Sequence, residues 1–181
     1  VGTRSRPSSD GLRAPGCSRS FVPWEAPLLR SPIHKALSIV QKHDVRCLLM
    51  GGQACVLYGA AEFSRDIDLA LASSAGNLAA LQHALTDLSA EVIAVPPFEA
   101  AYLEQGLAVH FRCHQVDVEG LRIDVMTRMR GVAPFEELWQ RRTTIEVADA
   151  RPIELLSLPD LVAAKKTQRD KDWPMIRRLL E

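Results

Sequence analysis

Asp66 and Asp68, two acids separated by one aliphatic residue, form the pattern in this sequence that most directly suggests chemistry. Alternate side chains of a strand point to opposite faces, so both carboxylates would share one face while Ile67 and Leu69 enter the core. Carboxylate oxygens are the hard ligands that Mg²⁺ prefers, and two acids at this spacing offer a platform for divalent ions. An isolated Asp-x-Asp usually faces water only, but the flanking aliphatic residues favour a metal site here.

Gly51 and Gly52 precede these acids, with thirteen residues between Gly52 and Asp66. A glycine pair alone most often marks a structural turn at the end of a strand. Glycine also lets backbone approach a phosphate closely, and a helix that follows presents free N–H groups. Together with the acids, the pair predicts a site for metal-bound nucleotide phosphates, provided that the strands on either side are neighbours in one sheet.

Asp124 is the candidate for a third acid of the same site. The strand pattern of residues 121–125 places Arg122 and Asp124 on the face opposite the aliphatic side chains. A single acid on an amphipathic strand often faces water only, and that alternative stays open. Asp117 and Glu119 are fallback candidates, although a turn accounts for Asp117.

Two further groups of polar residues are candidates for phosphate contacts. Ser64 and Arg65 directly precede the acid strand, where a surface loop explains them equally well. Asp172 fits a helix N-cap as well as a binding role. Four basic residues near the C-terminus fit either a solvated helix face or a phosphate-binding surface: Lys165, Lys166, Arg169 and Lys171.

The elements that must position these residues alternate between strand and helix, which predicts an α/β protein with a small mixed β-sheet flanked by helices. The expected strands span residues 45–50, 66–71, 109–116, 121–126, 143–147 and 153–156. The expected helices begin at Pro32, span 53–61, 77–88 and a turn or two of 98–103, begin again at Pro159, and follow Asp172 to pack Ile176, Leu179 and Leu180.

Composition narrows the class of protein. Lys plus Arg and Asp plus Glu both number 22, so no global positive field indicates a nucleic-acid binder, and any basic site must be local. The four cysteines have no Cys-x-x-Cys spacing, which favours a reduced, cytoplasmic setting over a disulfide framework. No apolar run approaches the ~20 residues of a membrane span. Residues 1–30 are expected to form a flexible tail, because the segment is rich in Arg, Ser, Pro and Gly.

The spacing of the glycines and acids resembles the signature of the polymerase-beta-type nucleotidyltransferase superfamily. That signature is a hydrophobic residue with Gly-Gly or Gly-Ser, then Asp, a hydrophobic residue and Asp or Glu, and a third acid on a later strand. Here Met50-Gly51-Gly52, Asp66-Ile67-Asp68 and Asp124 match it. The segments 158–165 and 169–172 also resemble a branch of small prokaryotic nucleotidyltransferase-like proteins that includes toxin-type members of abortive-infection systems, in which a lysine and a downstream aspartate recur near the nucleotide pocket.

The resemblance implies a nucleotidyltransferase-like domain over residues 31–157, with a C-terminal helical element over 158–181 packed on it. It implies Mg²⁺ or Mn²⁺ as cofactor, a nucleoside triphosphate as substrate, a tRNA, protein or small molecule as acceptor, and an antitoxin as a partner of toxin-type members. The alternative is a nucleotide-binding or partner-regulated module of the same fold without efficient turnover. The implied metal-binding and catalytic residues are Asp66, Asp68 and Asp124. The candidate nucleotide-binding residues are Gly51, Gly52, Ser64, Arg65, Lys165, Arg169 and Asp172.

Overall fold

The computed structural model describes residues 31–147, 150–166 and 173–180. These residues form a mixed seven-stranded sheet in the order β3-β4-β5-β2-β1-β7-β6, flanked by helices, which confirms the predicted α/β class. The strands are β1 (Cys47–Met50), β2 (Asp66–Leu71), β3 (Glu91–Val92), β4 (Val109–Arg112), β5 (Arg122–Met126), β6 (Thr143–Ile145) and β7 (Ile153–Leu155). The helices are α1 (Pro32–Lys42), α2 (Gly51–Leu57), α3 (Ala75–Asp87), α4 (Ala100–Glu104), α5 (Phe135–Gln140), α6 (Leu158–Lys166) and α7 (Trp173–Leu180), with a 3₁₀ turn at Val116–Val118.

Helix α1 begins where the sequence predicts. The Ser31 hydroxyl accepts a hydrogen bond from the His34 N–H at 3.1 Å, and Pro32 occupies the first turn, where a missing N–H costs nothing. Leu37 and Val40 of α1 line a groove together with Leu49 and Leu69 of the sheet. Helix α1 therefore lies against one face of β1 and β2 and leaves the other face to the acids.

The centre of the sheet is built from β1, β2 and β5. Strand β2 pairs antiparallel with β1 and parallel with β5, and β5 pairs antiparallel with β4. Ile67, Leu69 and Ile123 are almost completely buried, whereas Asp66 and Asp68 alternate with them and are partly exposed. One face of these strands thus joins the apolar core while the other carries charged side chains.

Several boundaries differ from the sequence expectation. Strand β4 ends at Arg112, and the chain then turns through the 3₁₀ segment before β5. Helix α2 begins at Gly51 itself, so the glycine turn that the sequence predicts before the helix is the first turn of that helix. Leu180 was expected to pack, but its side chain is 67% exposed, while Ile176 and Leu179 of the same helix are buried.

Among the residues that the structure describes, no helix is long and apolar enough to cross a membrane. Residues 1–30, for which a tail was expected, lie outside the described ranges.

Candidate active site

The strand register aligns two acids of the candidate site. Asp68 is the partner of Met50 on β1 and of Asp124 on β5, and Asp124 is in turn the partner of His110 on β4. Register partners project to the same face, so Met50, Asp68, Asp124 and His110 form one row across the sheet. The adjacency of the strands before Gly51 and after Arg65, which the sequence argument required, is confirmed.

A second row lies two residues away along the same face. Asp66 is the register partner of Arg122, and Arg122 is the partner of Arg112 on β4. This face therefore carries both acidic and basic side chains, with Asp66 and Asp68 on β2 next to Arg122 and Asp124 on β5. The structure brings the three predicted acids together on neighbouring strands.

The glycine pair packs directly against Asp68. Gly51 has φ +64°, a conformation that L side chains adopt at a cost, and a Cβ at this position would overlap the Asp68 carboxylate. A Cβ on Gly52 would overlap the hydroxyl of Ser64. The Gly52 N–H donates a hydrogen bond to the Asp68 carboxylate. Both positions thus require glycine for local reasons, apart from any phosphate contact.

The charge of Asp68 is incompletely compensated. Burial raises the pKa of Asp68 to about 6 from its usual 3.8, and the nearby charges of Asp124 and Asp66 act in the same direction. The Gly52 N–H and the Lys165 ammonium oppose this rise in pKa. Because the net effect is a rise, the site as it stands would gain from an additional cation beside Asp68.

Asp124 is buried and its carboxylate is fully engaged. Arg122 donates to it through two nitrogens, Nε to Oδ1 at 2.8 Å and Nη2 to Oδ2 at 2.6 Å. His110 Nδ1 lies 2.8 Å from Oδ1 and 3.4 Å from Arg122 Nη2, so the imidazole contacts both partners of this pair. The Asp124 side chain is 10% exposed, and its pairing holds the pKa of the Arg122 guanidinium above its usual value.

Lys165 approaches the acids from helix α6. It is only 6% exposed, and its positive charge acts on the ionisation of Asp68, which places the ammonium group near that carboxylate. Helix α6 is fixed at its start by Asp160, whose two oxygens accept from Arg141 Nε at 2.7 Å and Nη2 at 2.8 Å. The Ser157 hydroxyl donates to Asp160 at 2.6 Å. This cluster, in which Ser157 and Asp160 are buried and Arg141 reaches in from the surface, positions the helix that carries Lys165.

Ser64 and Arg65, the other candidates on the acid side, differ from each other. Ser64 is half-buried: its carbonyl accepts from Gln53 Nε2 at 2.8 Å, and its hydroxyl donates to the Asp66 carbonyl at 3.4 Å. Arg65 is exposed, with its guanidinium 6.0 Å from the ring centroid of Phe63. Ser64 therefore supports the glycine turn, whereas Arg65 is on the surface of the loop before β2.

The carboxylates suit a divalent cation in their chemistry, and two of them also in their arrangement. Asp66 and Asp68 are hard oxygen donors on one face, and burial, with a smaller contribution from the neighbouring carboxylates, raises the pKa of Asp68. Across the described part of the chain, no three His, Cys, Asp or Glu side chains are arranged to hold a metal ion. Both oxygens of Asp124 face Arg122 and His110 instead, so Asp124 fits as a ligand only when this pair opens.

Two predicted site residues, Arg169 and Asp172, lie outside the described residues, as does Lys171. Their proposed contacts with nucleotide stay predictions. Lys166, the neighbour of Lys165, is exposed, in agreement with a solvated helix face at that position.

Sequence reasoning missed two members of this constellation, Arg122 as the partner of Asp124 and His110. The alternation in 121–125 already placed Arg122 on the face of Asp124, so this pairing had a signal in the sequence. His110 had none, because its position opposite Asp124 depends on the register of β4 against β5.

The sequence matches no protein-family model and no curated protein. Among solved structures, the chain is similar to ANT(2")-Ia in complex with adenylyl-2"-tobramycin, with a TM-score of 0.48 and 15% sequence identity over 81% of this chain and 84% of that chain. A similarity at this level leaves the function of the present chain open.

Proposed function

We propose that this chain is a metal-dependent nucleotidyltransferase that moves a nucleoside monophosphate from a nucleoside triphosphate to an acceptor hydroxyl or phosphate. The observation that carries the proposal is the placement of Asp66, Asp68 and Asp124 on neighbouring strands of one sheet face, beside the glycine turn. The motif resemblance described for the sequence supports the same reaction class. Fold alone does not specify function, so the proposal rests on these side chains.

In this proposal Asp66 and Asp68 hold the divalent ion, with Mg²⁺ as the expected metal and Mn²⁺ as a substitute. A bound divalent ion neutralises triphosphate charge and stabilises the charge that develops as the bond to the leaving group breaks. Lys165, already close to Asp68, contributes a fixed positive charge toward the phosphates. The Gly52 N–H donates to the Asp68 carboxylate and would help to orient it toward the metal.

The reaction exchanges one P–O bond for another. The acceptor oxygen forms a bond to the α-phosphorus while the bond between the α-phosphorus and the bridging oxygen breaks, which releases pyrophosphate. The proton of the attacking hydroxyl passes to a base, the role we assign to Asp124. Asp124 can take this role only once it is no longer bound on both oxygens by Arg122 and His110.

The proposed acceptor is a tRNA, a protein or a small molecule, since the motif residues bear on nucleotide and metal and not on the acceptor. Net charge is zero, which disfavours a long nucleic-acid interface, but a local basic surface from Lys165 toward the C-terminus suffices for an RNA end. An antitoxin that controls activity is the regulatory partner that the resemblance to toxin-type proteins suggests, and a reduced, cytoplasmic setting fits the cysteine pattern.

A second candidate function is nucleotide binding without efficient transfer. The specific observation in its favour is the closed state of Asp124, whose carboxylate is occupied by Arg122 and His110. If that state persists with nucleotide bound, Asp66 and Asp68 bind metal and phosphate but no base is free.

Labelled transfer separates the two candidates. The protein is incubated with each α-labelled triphosphate, Mg²⁺ and pooled RNA, protein or small molecules, and the label on each pool is measured. Transfer that is lost in Asp66→Asn and Asp68→Asn but kept in Glu62→Gln, an exposed acid of the loop before β2, supports the enzyme. Magnesium-dependent binding without transfer to any pool favours the second candidate, and the absence of both overturns both.

A further inference from the structure

The Arg122 guanidinium is hydrogen-bonded to the Asp124 carboxylate, which is the third ligand of the proposed metal site. Two of its nitrogens contact the two oxygens of Asp124 at 2.8 and 2.6 Å, the fork geometry of a strong ion pair. The Arg122 backbone is the register partner of Asp66, so the same cation also lies beside the other strand's acids. Arg122 thus supplies positive charge to Asp66, Asp68 and Asp124, as a bound divalent cation would.

The two partners differ in their freedom to move. The Arg122 side chain is 40% exposed, whereas the Asp124 side chain is 10% exposed and is also held by His110 at 2.8 Å. The guanidinium can therefore leave toward solvent while the carboxylate stays in place. Departure without replacement would leave a buried carboxylate close to Asp68 with His110 as its remaining neighbour and no fixed positive charge from Arg122, which is strongly unfavourable. The pair is expected to open only when another cation takes over.

We propose that Arg122 is a positioning residue that competes with the divalent metal for Asp124, so that metal binding and release of the guanidinium are coupled. In the paired state Asp124 is neither ligand nor base. In the open state Asp124 joins Asp66 and Asp68 as a metal ligand. The released guanidinium stays close by, because the Arg122 backbone is the register partner of Asp66. This inference rests on the proposed function, since it assigns a role to Arg122 at the same site.

The competition predicts that removing Arg122 strengthens metal binding. A metal ion that takes Asp124 as a ligand must displace a two-pronged, charge-assisted contact, and Arg122→Ala abolishes that requirement. The expected gain in affinity is about tenfold or more, the scale of hydrogen bonds between charged groups. Removing any positive charge from this face also raises its affinity for a cation. The effect of the lost charge alone must therefore be measured separately.

Arg112 provides the matched control. It is an exposed arginine on the same face and the register partner of Arg122, one strand further from Asp68. Arg112→Ala removes the same charge without touching Asp124. A second variant, Arg122→Lys, keeps the charge but lacks the fork, and it tests the pairing even if Arg122→Ala does not fold.

The experiment is a calorimetric titration of Mn²⁺ alone into the full chain and the three variants, at constant pH, with thermal unfolding to confirm that each is folded. We expect Arg122→Ala to bind Mn²⁺ about tenfold more tightly than the parent, Arg122→Lys to lie between them, and Arg112→Ala to gain less than about threefold. Affinity of Arg122→Ala no higher than that of Arg112→Ala, or of Arg122→Lys no higher than that of the parent, with the parent binding normally, overturns the inference and leaves the proposed function intact. Failure of parent and variants alike to bind Mn²⁺ overturns both.

Discussion

The Asp68 carboxylate fills the space that a side chain at position 51 would need. Gly51 combines this close approach with a φ of +64°, so two independent constraints exclude other residues there. The glycine turn and the acid strand are therefore one packed unit, in which the position of the carboxylate depends on the absence of a Cβ.

Replacement of Gly51 is predicted to displace Asp68 as well as to strain the backbone. Gly59 is the matched control, because it has φ +77° and no atom within 4 Å of a Cβ built on it. Gly59→Ala should lower the unfolding free energy by about 1 kcal/mol, because the alanine must adopt the left-handed conformation but meets no other atom. Gly51→Ala should cost clearly more, because it adds the clash with Asp68. Equal losses in denaturant unfolding would show that Asp68 does not depend on Gly51.

Asp68→Asn is predicted to stabilise the metal-free protein. An acid whose pKa rises from 3.8 to about 6 on folding does not change the free energy of unfolding below about pH 4. As the pH rises from 4 to 6, its ionisation increasingly destabilises the fold. Above pH 6 the full penalty is about 3 kcal/mol by the usual conversion. In the presence of a chelator at pH 8, the variant should therefore unfold at a higher denaturant concentration than the parent, and the difference should vanish near pH 3.5.

Asp160→Asn is the control with the opposite sign. Its pairing with Arg141 lowers the pKa of Asp160, so this acid stabilises the fold above its ordinary pKa and loses that contribution as the pH falls. The substitution should destabilise the protein at pH 8 and converge with the parent in acid. A parent-like stability of Asp68→Asn at pH 8 would contradict the electrostatic description of the site.

Lys165→Met is predicted to weaken triphosphate binding more than Lys166→Met. The two residues are neighbours on α6, but Lys165 is 6% exposed and acts on Asp68, whereas Lys166 is exposed. The expected loss for Lys165→Met is about tenfold, the scale of one charged interaction. Equilibrium dialysis with Mg²⁺ and labelled triphosphate measures it. Equal effects of the two substitutions would remove Lys165 from the site.

The parts of the site that the sequence predicted are those set by local periodicity. Alternation along 66–71 and 121–125 was sufficient to place Asp66, Asp68 and Asp124 on polar faces, because side-chain direction in a strand depends only on position within it. The sequence argument required the strands on either side of Gly51 to Asp66 to be neighbours in one sheet, and the pairing of β1 with β2 confirmed this.

The parts that were not predicted depend on tertiary packing. His110 meets Asp124 through the register of β4 on β5, which the chain sets by turning through a 3₁₀ segment between them. The approach of Lys165 to Asp68 depends on α6, whose start is held by the Asp160 pairing with Arg141, nineteen residues earlier in the chain. Neither relationship has a periodic signal in the sequence.

The central claim is that Asp66 and Asp68 bind nucleotide through a divalent metal. Its most direct test is a calorimetric titration of each of the four nucleoside triphosphates into the parent, the double variant Asp66→Asn/Asp68→Asn and Glu62→Gln, with and without Mg²⁺. We predict Mg²⁺-dependent binding of at least one triphosphate to the parent and to Glu62→Gln, with at least about a tenfold loss in the double variant. Binding to the double variant as tight as to the parent, or binding indifferent to Mg²⁺, would contradict the claim.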